Sequence, residues 1–148
     1  MKLDRYELKA EKSLTNFEFI SEGKKGRITK LVQYSETNLK GFYNLGFGDK
    51  GHLTGDIDDR IISNNDDSQK VLATVAATVY TFTDKYPNAW VYATGISKTR
   101  PLLYKMGISR NLTHVQKDYD VYGLKEGEWQ EFEKDNEYEA FLVSRKYY

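Results

Sequence analysis

The segment AWVYATGISKTRPLLYKMGISR, from Ala89 to Arg110, holds the residues best placed to do chemistry. Ser97, Lys98, Thr99 and Arg100 stand where the spacing predicts a helix to begin, near Thr99, with Pro101 in its first turn. A helix start is the positive end of its dipole and presents unpaired N–H groups, so two cations there are mildly unfavourable. An anion docked among them turns that cost into a gain. The chemistry expected of Ser97, Lys98, Thr99 and Arg100 is therefore anion binding, of a phosphate-like ligand or an acidic side chain of a protein partner. The plainer reading leaves Lys98 and Arg100 in water or paired with carboxylates of a neighbouring strand.

Other clusters point to structure rather than reaction. Asn64 to Asp67, with Asp56, Asp58 and Asp59, are hard oxygen ligands, but they lack calcium-loop spacing and its closing glutamate. Helix capping and a solvated turn account for them, and no metal is expected. His52 and His114 belong to no metal-ligand spacing, and no Gly-x-Ser-x-Gly elbow supports a serine hydrolase. The chain has no cysteine, which removes disulfides, thiolate catalysis and cysteine-bound zinc together. The run EGEWQEFEKDNEYEAF around Trp129 reads as an acidic hairpin, either a charge-protected sheet edge or a partner-binding one.

Lys plus Arg and Asp plus Glu are equal, 22 each, so no global field recruits nucleic acid or an anionic membrane. The 148 residues suit one domain with its own core. The beginning MKLDRYELKAEK is charged and lacks a signal-peptide run, and no segment reaches the roughly 20 apolar residues of a spanning helix. A soluble, cytoplasmic protein is expected.

The elements that must position these residues are legible from hydrophobic periodicity. Apolar residues alternate through Tyr6 and Leu8, Phe17 and Phe19, Ile28 to Val32, and Phe42 to Phe47, with glycines between, which predicts an antiparallel meander. A short strand is expected at Ile57 to Ser63. From Ser68 the spacing becomes helical through Leu72, Val75, Ala76, Val79 and Phe82 until Pro87, with Asp66, Asp67 or Ser68 as cap. Trp90 to Ala93 reads as a strand inside a sheet, followed by a second helix from Thr99, bent near Gly107 and fading by Lys117. Strands return at Tyr119 to Tyr122 and Tyr138 to Val143, with a turn at Lys125 to Gly127. This order predicts an α+β fold, a mixed and mainly antiparallel sheet with two principal helices.

That order, together with LLYKMGI at Leu102 to Ile108, resembles the second half of the GNAT acetyltransferase fold, in which a late helix often reads Leu-Tyr-x-x-x-Gly-Phe. The resemblance implies a general-acid role for Tyr104 toward a coenzyme A thiolate, with acetyl-coenzyme A as cofactor. Acetyltransferases seat the cofactor pyrophosphate on a Gln/Arg-x-x-Gly-x-Gly/Ala loop at the start of the preceding helix. Here that place reads Asn64, Asn65, Asp66, Asp67, Ser68, Gln69, Lys70, with no glycine and two carboxylates that repel a pyrophosphate. The whole chain also resembles a family of small proteins of unknown function common in Bacteroidetes-type bacteria, through segments such as KVLATVAATVYTFTDKYP and AWVYATG. The leading expectation is a GNAT-like protein that binds a protein partner or an anionic ligand without catalysis and without a cofactor. An acyltransferase with an atypical cofactor loop is the first alternative. A nucleic-acid or nucleotide binder of a mobile-element or defence module, using Lys98, Arg100, Lys105 and Arg110, is the second.

Overall fold

Period-two alternation builds three long antiparallel strands, β2 (Asn16–Gly23), β3 (Gly26–Glu36) and β4 (Phe42–Lys50), preceded by a two-residue β1 (Lys9–Ala10). The structure, a computed structural model, describes residues 5–51, 57–58, 65–93, 108 and 112–146. β5 (Ile57–Asp58) pairs with the end of β4, and α1 (Ser68–Lys85) then crosses over to β6 (Trp90–Ala93). α2 (Leu112–Asp118), β7 (Tyr119–Lys125), β8 (Glu128–Glu131) and β9 (Ala140–Arg145) follow. The strands form one mixed sheet in the order β1-β2-β3-β4-β6-β9-β7-β8, with β5 beside β4, so the fold is of the expected α+β class.

Among the described residues β4 and β6 make the one parallel pair, from Phe42↔Trp90 to Leu45↔Ala93. A parallel pair requires a crossover, and α1 supplies it. β9 inserts between β6 and β7, antiparallel to both. The β7–β8 hairpin closes through Glu126 and Gly127, both at positive φ (51° and 79°), the geometry of a type I′ turn.

α1 packs on one face of this sheet because Val71, Val75, Thr78 and Phe82 recur on one side of it. Its buried threonines are tolerated because each hydroxyl finds a partner. Thr74 donates to the Lys70 carbonyl (2.7 Å) and Thr78 to that of Val75 (2.6 Å), while Thr83 bonds Val79 (2.8 Å). The core under α1 is aromatic: Phe82 lies flat on Tyr34 at 4.2 Å between ring centres and edge-on to Tyr43 at 5.0 Å. A second core joins Tyr119, Val121, Phe132, Tyr138 and Phe141 to Leu72 and Val79 of α1 and Val115 of α2, so both helices cover the same face.

Two expectations change in detail, and two others fall partly outside the described residues. Tyr6 and Leu8 precede β1 instead of forming a strand, because the Tyr6 backbone N–H is spent on Thr74 Oγ1 (2.9 Å), which docks this segment along α1. The last strand begins at Ala140, because Tyr138 lays its ring over Gly123, where a Cβ would stand 2.3 Å from the ring. β5 is described only over Ile57–Asp58, and the rest of the strand expected to Ser63 lies outside the described residues. The second helix is described at Ile108 and in α2; its expected start at Thr99 and bend at Gly107 also lie outside them.

Candidate functional site

Ser97, Lys98, Thr99, Arg100 and Tyr104 lie outside the described residues, as do His52, Lys105 and Arg110. The strand that leads to them is described. Because β6 is parallel to β4, the chain leaves β6 toward the same end of the sheet at which β4 finishes. The same end holds the β2–β3 turn, since Lys30 pairs with Asp49 and the hairpin closes beyond it at Gly23↔Gly26.

That end is occupied by a network centred on residues 65–67, just before α1. Asn65, 1 % exposed, donates through Nδ2 to Ser21 Oγ (3.1 Å) and the Gly26 carbonyl (2.8 Å), and its Oδ1 accepts from the Lys25 N–H (2.5 Å). Its carbonyl accepts from the Lys24 N–H at 3.2 Å. The approach is so close that a Cβ on Gly23 would meet that carbonyl oxygen at 2.0 Å, so only glycine fits. Asp67 stands at the N-cap position of α1 but makes no side-chain capping bond, which corrects its expected role. Its Oδ2 instead accepts from the Tyr6 hydroxyl and from Ser21 Oγ, each at 2.5 Å. Burial, and then that bond to the Asp67 carboxylate, raise the Tyr6 phenol above its ordinary value. Lys70 adds its ammonium over the Tyr6 ring, 4.4 Å from the centre.

The network is a plug just before α1: a carboxylate, two hydroxyls and a carboxamide bond one another and the β2–β3 turn. Asp67→Ala leaves both hydroxyls without their charged acceptor and is expected to lower stability by about 2–3 kcal/mol. Urea denaturation checks this, and a loss under about 0.5 kcal/mol would show that the plug is not holding the N-terminal segment.

Two further polar groupings flank it. Lys30 Nζ contacts Asp49 Oδ1 at 2.5 Å with both residues buried, joining β3 to β4 on the α1 face. At the other end of α1, Arg145 contacts Asp84 (2.7 Å) and donates to Thr83 Oγ1 (2.8 Å), with its guanidinium 5.2 Å from the Tyr80 ring centre. Tyr80 donates to Asp118 at 2.6 Å. Burial, and then that hydrogen bond, push the Tyr80 phenol far above its ordinary value, and burial also raises Tyr119. Both phenols serve as hydrogen-bonding groups: Tyr80 ties α1 to the end of α2, and Tyr119 of β7 shares a 2.7 Å hydrogen bond with Thr83 of α1. His114 is exposed on α2, and no group of three His, Cys, Asp or Glu residues suited to a metal occurs among the described residues.

Tyr6, Ser21, Lys30 and Asp49 belong to no motif, yet one signal for the charged pair is present. Lys30 shares strand parity with Val32 and Tyr34, and Asp49 with Leu45 and Phe47, so each is a charge at a position that points inward.

The chain matches, over residues 2–146, a family described as a family of unknown function, DUF6934, and belongs to it. No curated protein and no solved structure matches it. Among the described residues no helix is long and apolar enough to cross a membrane.

Proposed function

We propose that this DUF6934 member is a cytoplasmic binding protein on a GNAT-like frame that performs no acyl transfer, with Ser97, Lys98, Thr99 and Arg100 holding an anionic ligand or an acidic side chain of a partner. The frame is supported by the parallel β4/β6 pair around α1 and by β9 lying between β6 and β7, a strands, helix, strand, helix, strands order. The observation that carries the reading is the plug at the start of α1. An acetyltransferase would seat a pyrophosphate there, whereas Tyr6 and Ser21 hold the Asp67 carboxylate just before the helix, where it repels that anion, and Asn65 is committed to the β2–β3 turn.

Thermal-shift titration tests it. Sulfate and inorganic phosphate are expected to raise Tm by a few degrees when well above Kd, and Arg100→Ala to lose the shift; acetyl-coenzyme A is expected to do no more than phosphate alone. Stabilisation specific to acetyl-coenzyme A, with acetylation of an amine that Tyr104→Phe abolishes, would overturn the reading in favour of an acyltransferase. Absence of any anion effect in wild type would remove the anion site.

A further inference from the structure

We propose that the sheet face turned away from α1 and α2 docks an extended, lysine-bearing or arginine-bearing segment of a partner protein, with cations over Trp129, Tyr92, Trp90 and Tyr122 and against the carboxylates of Asp120 and Glu131. This goes beyond the anion site, since it uses none of residues 97–100 and needs the opposite charge in the ligand.

Strand pairing assembles the face. Residues opposite each other in a ladder project to the same side. Phe42 pairs with Trp90, Tyr92 with Leu142, Leu142 with Tyr122, and Tyr122 with Glu131, while Leu124 pairs with Trp129 and Ser144 with Asp120. These residues alternate with Val91, Val121 and Val143, which face the helices. The rings form two groups on this face of the sheet. Phe42 stacks on Trp90 at 5.8 Å, Trp90 meets Tyr122 at 6.0 Å, and Tyr92 meets Trp129 edge-on at 5.9 Å. None of the five aromatic residues belongs to either core of the described residues, and Trp129 is 42 % exposed.

Charge identifies the occupant. Between Asp118 and Lys146 acidic residues outnumber basic ones nine to four, although the whole chain is neutral. Asp120 and Glu131 are exposed on the platform side, and neither has an ion-pair partner among the described residues. Carboxylates beside π-faces attract a cation from two directions, by direct charge and by the ring quadrupole. The same carboxylates repel a nucleic-acid backbone, and a second copy docked through this face would set like charges against each other. Among the described residues β8 ends the strand order, which gives an extended segment a sheet edge to join beside the platform. Charge alone suffices to protect such an edge, and that role leaves the exposed Trp129 unexplained.

Fluorescence anisotropy of dye-labelled decalysine, with decaglutamate as control, tests the proposal on the full chain. Saturable, salt-sensitive binding of decalysine alone is expected, weakened about tenfold in Asp120→Asn/Glu131→Gln. Trp129→Ala, which keeps every charge, is expected to weaken it about threefold to tenfold. These positions lie outside both cores, and circular dichroism verifies that the variants fold. No saturable binding, or binding that neither variant changes, overturns the proposal. So does loss in the charge variant with none in Trp129→Ala, because that marks diffuse acidity. Concentration-dependent self-association abolished by Trp129→Ala would give the face to a second copy instead.

Discussion

Lys30→Met is expected to lower unfolding stability by about 3–5 kcal/mol. The Lys30 ammonium lies 2.5 Å from the Asp49 carboxylate, and the two side chains are only 6 % and 9 % exposed. Methionine keeps the volume of the lysine stem but leaves the carboxylate in the core without its cation. The desolvation already incurred by Asp49 is then uncompensated. The double variant Lys30→Met/Asp49→Leu removes both charges and is expected to recover most of the loss, since an apolar pair replaces a buried ion pair at little net cost. Urea denaturation of the wild type, both single variants and the double variant gives the coupling directly, provided the m-value is unchanged. A Lys30→Met loss below about 1 kcal/mol, or a double variant worse than either single one, would show that water reaches the pair. The pair sits on the α1 face toward the end of the sheet where β4 finishes and from which the chain runs on past β6.

Phe82→Ala is expected to cost about 3–5 kcal/mol, by lost burial and by the cavity it leaves. Phe82 has no exposed surface, and its ring contacts three others: Tyr34 flat at 4.2 Å, and Tyr43 and Tyr86 at 5.0 Å each. Two of those tyrosines are held at their far ends, which limits how well the site can collapse. Tyr34 shares a 2.8 Å hydrogen bond with Thr78, and Tyr86 donates to the Ser13 carbonyl at 3.0 Å. Phe82→Leu retains most of the apolar volume and is expected to lose less than half as much. Thermal unfolding followed by near-ultraviolet circular dichroism measures both effects, since the tyrosine environment reports on the same packing. A Phe82→Ala loss no greater than that of Phe82→Leu would mean that the aromatic layer repacks freely.

Local chemistry determines much of this architecture. Alternation sets β2, β3 and β4, because a half-buried strand must send every second side chain to the core. The spacing from Leu72 to Phe82, ended by Pro87, sets α1, and Glu126-Gly127 marks the β7–β8 turn. Tertiary structure alone decided which residues meet. Asp67 is 61 residues from Tyr6 and 46 from Ser21, and neither distance leaves a trace in periodicity. Lys30 finds Asp49 only through the β3–β4 register, and a one-residue slip would send the two charges to opposite faces. The insertion of β9 between β6 and β7 carries Tyr122 to within 6.0 Å of Trp90 and brings Trp129 to Tyr92. Periodicity reports which side of its own element a residue occupies. Strand order and register, set by the packing of the whole sheet, decide what stands beside it.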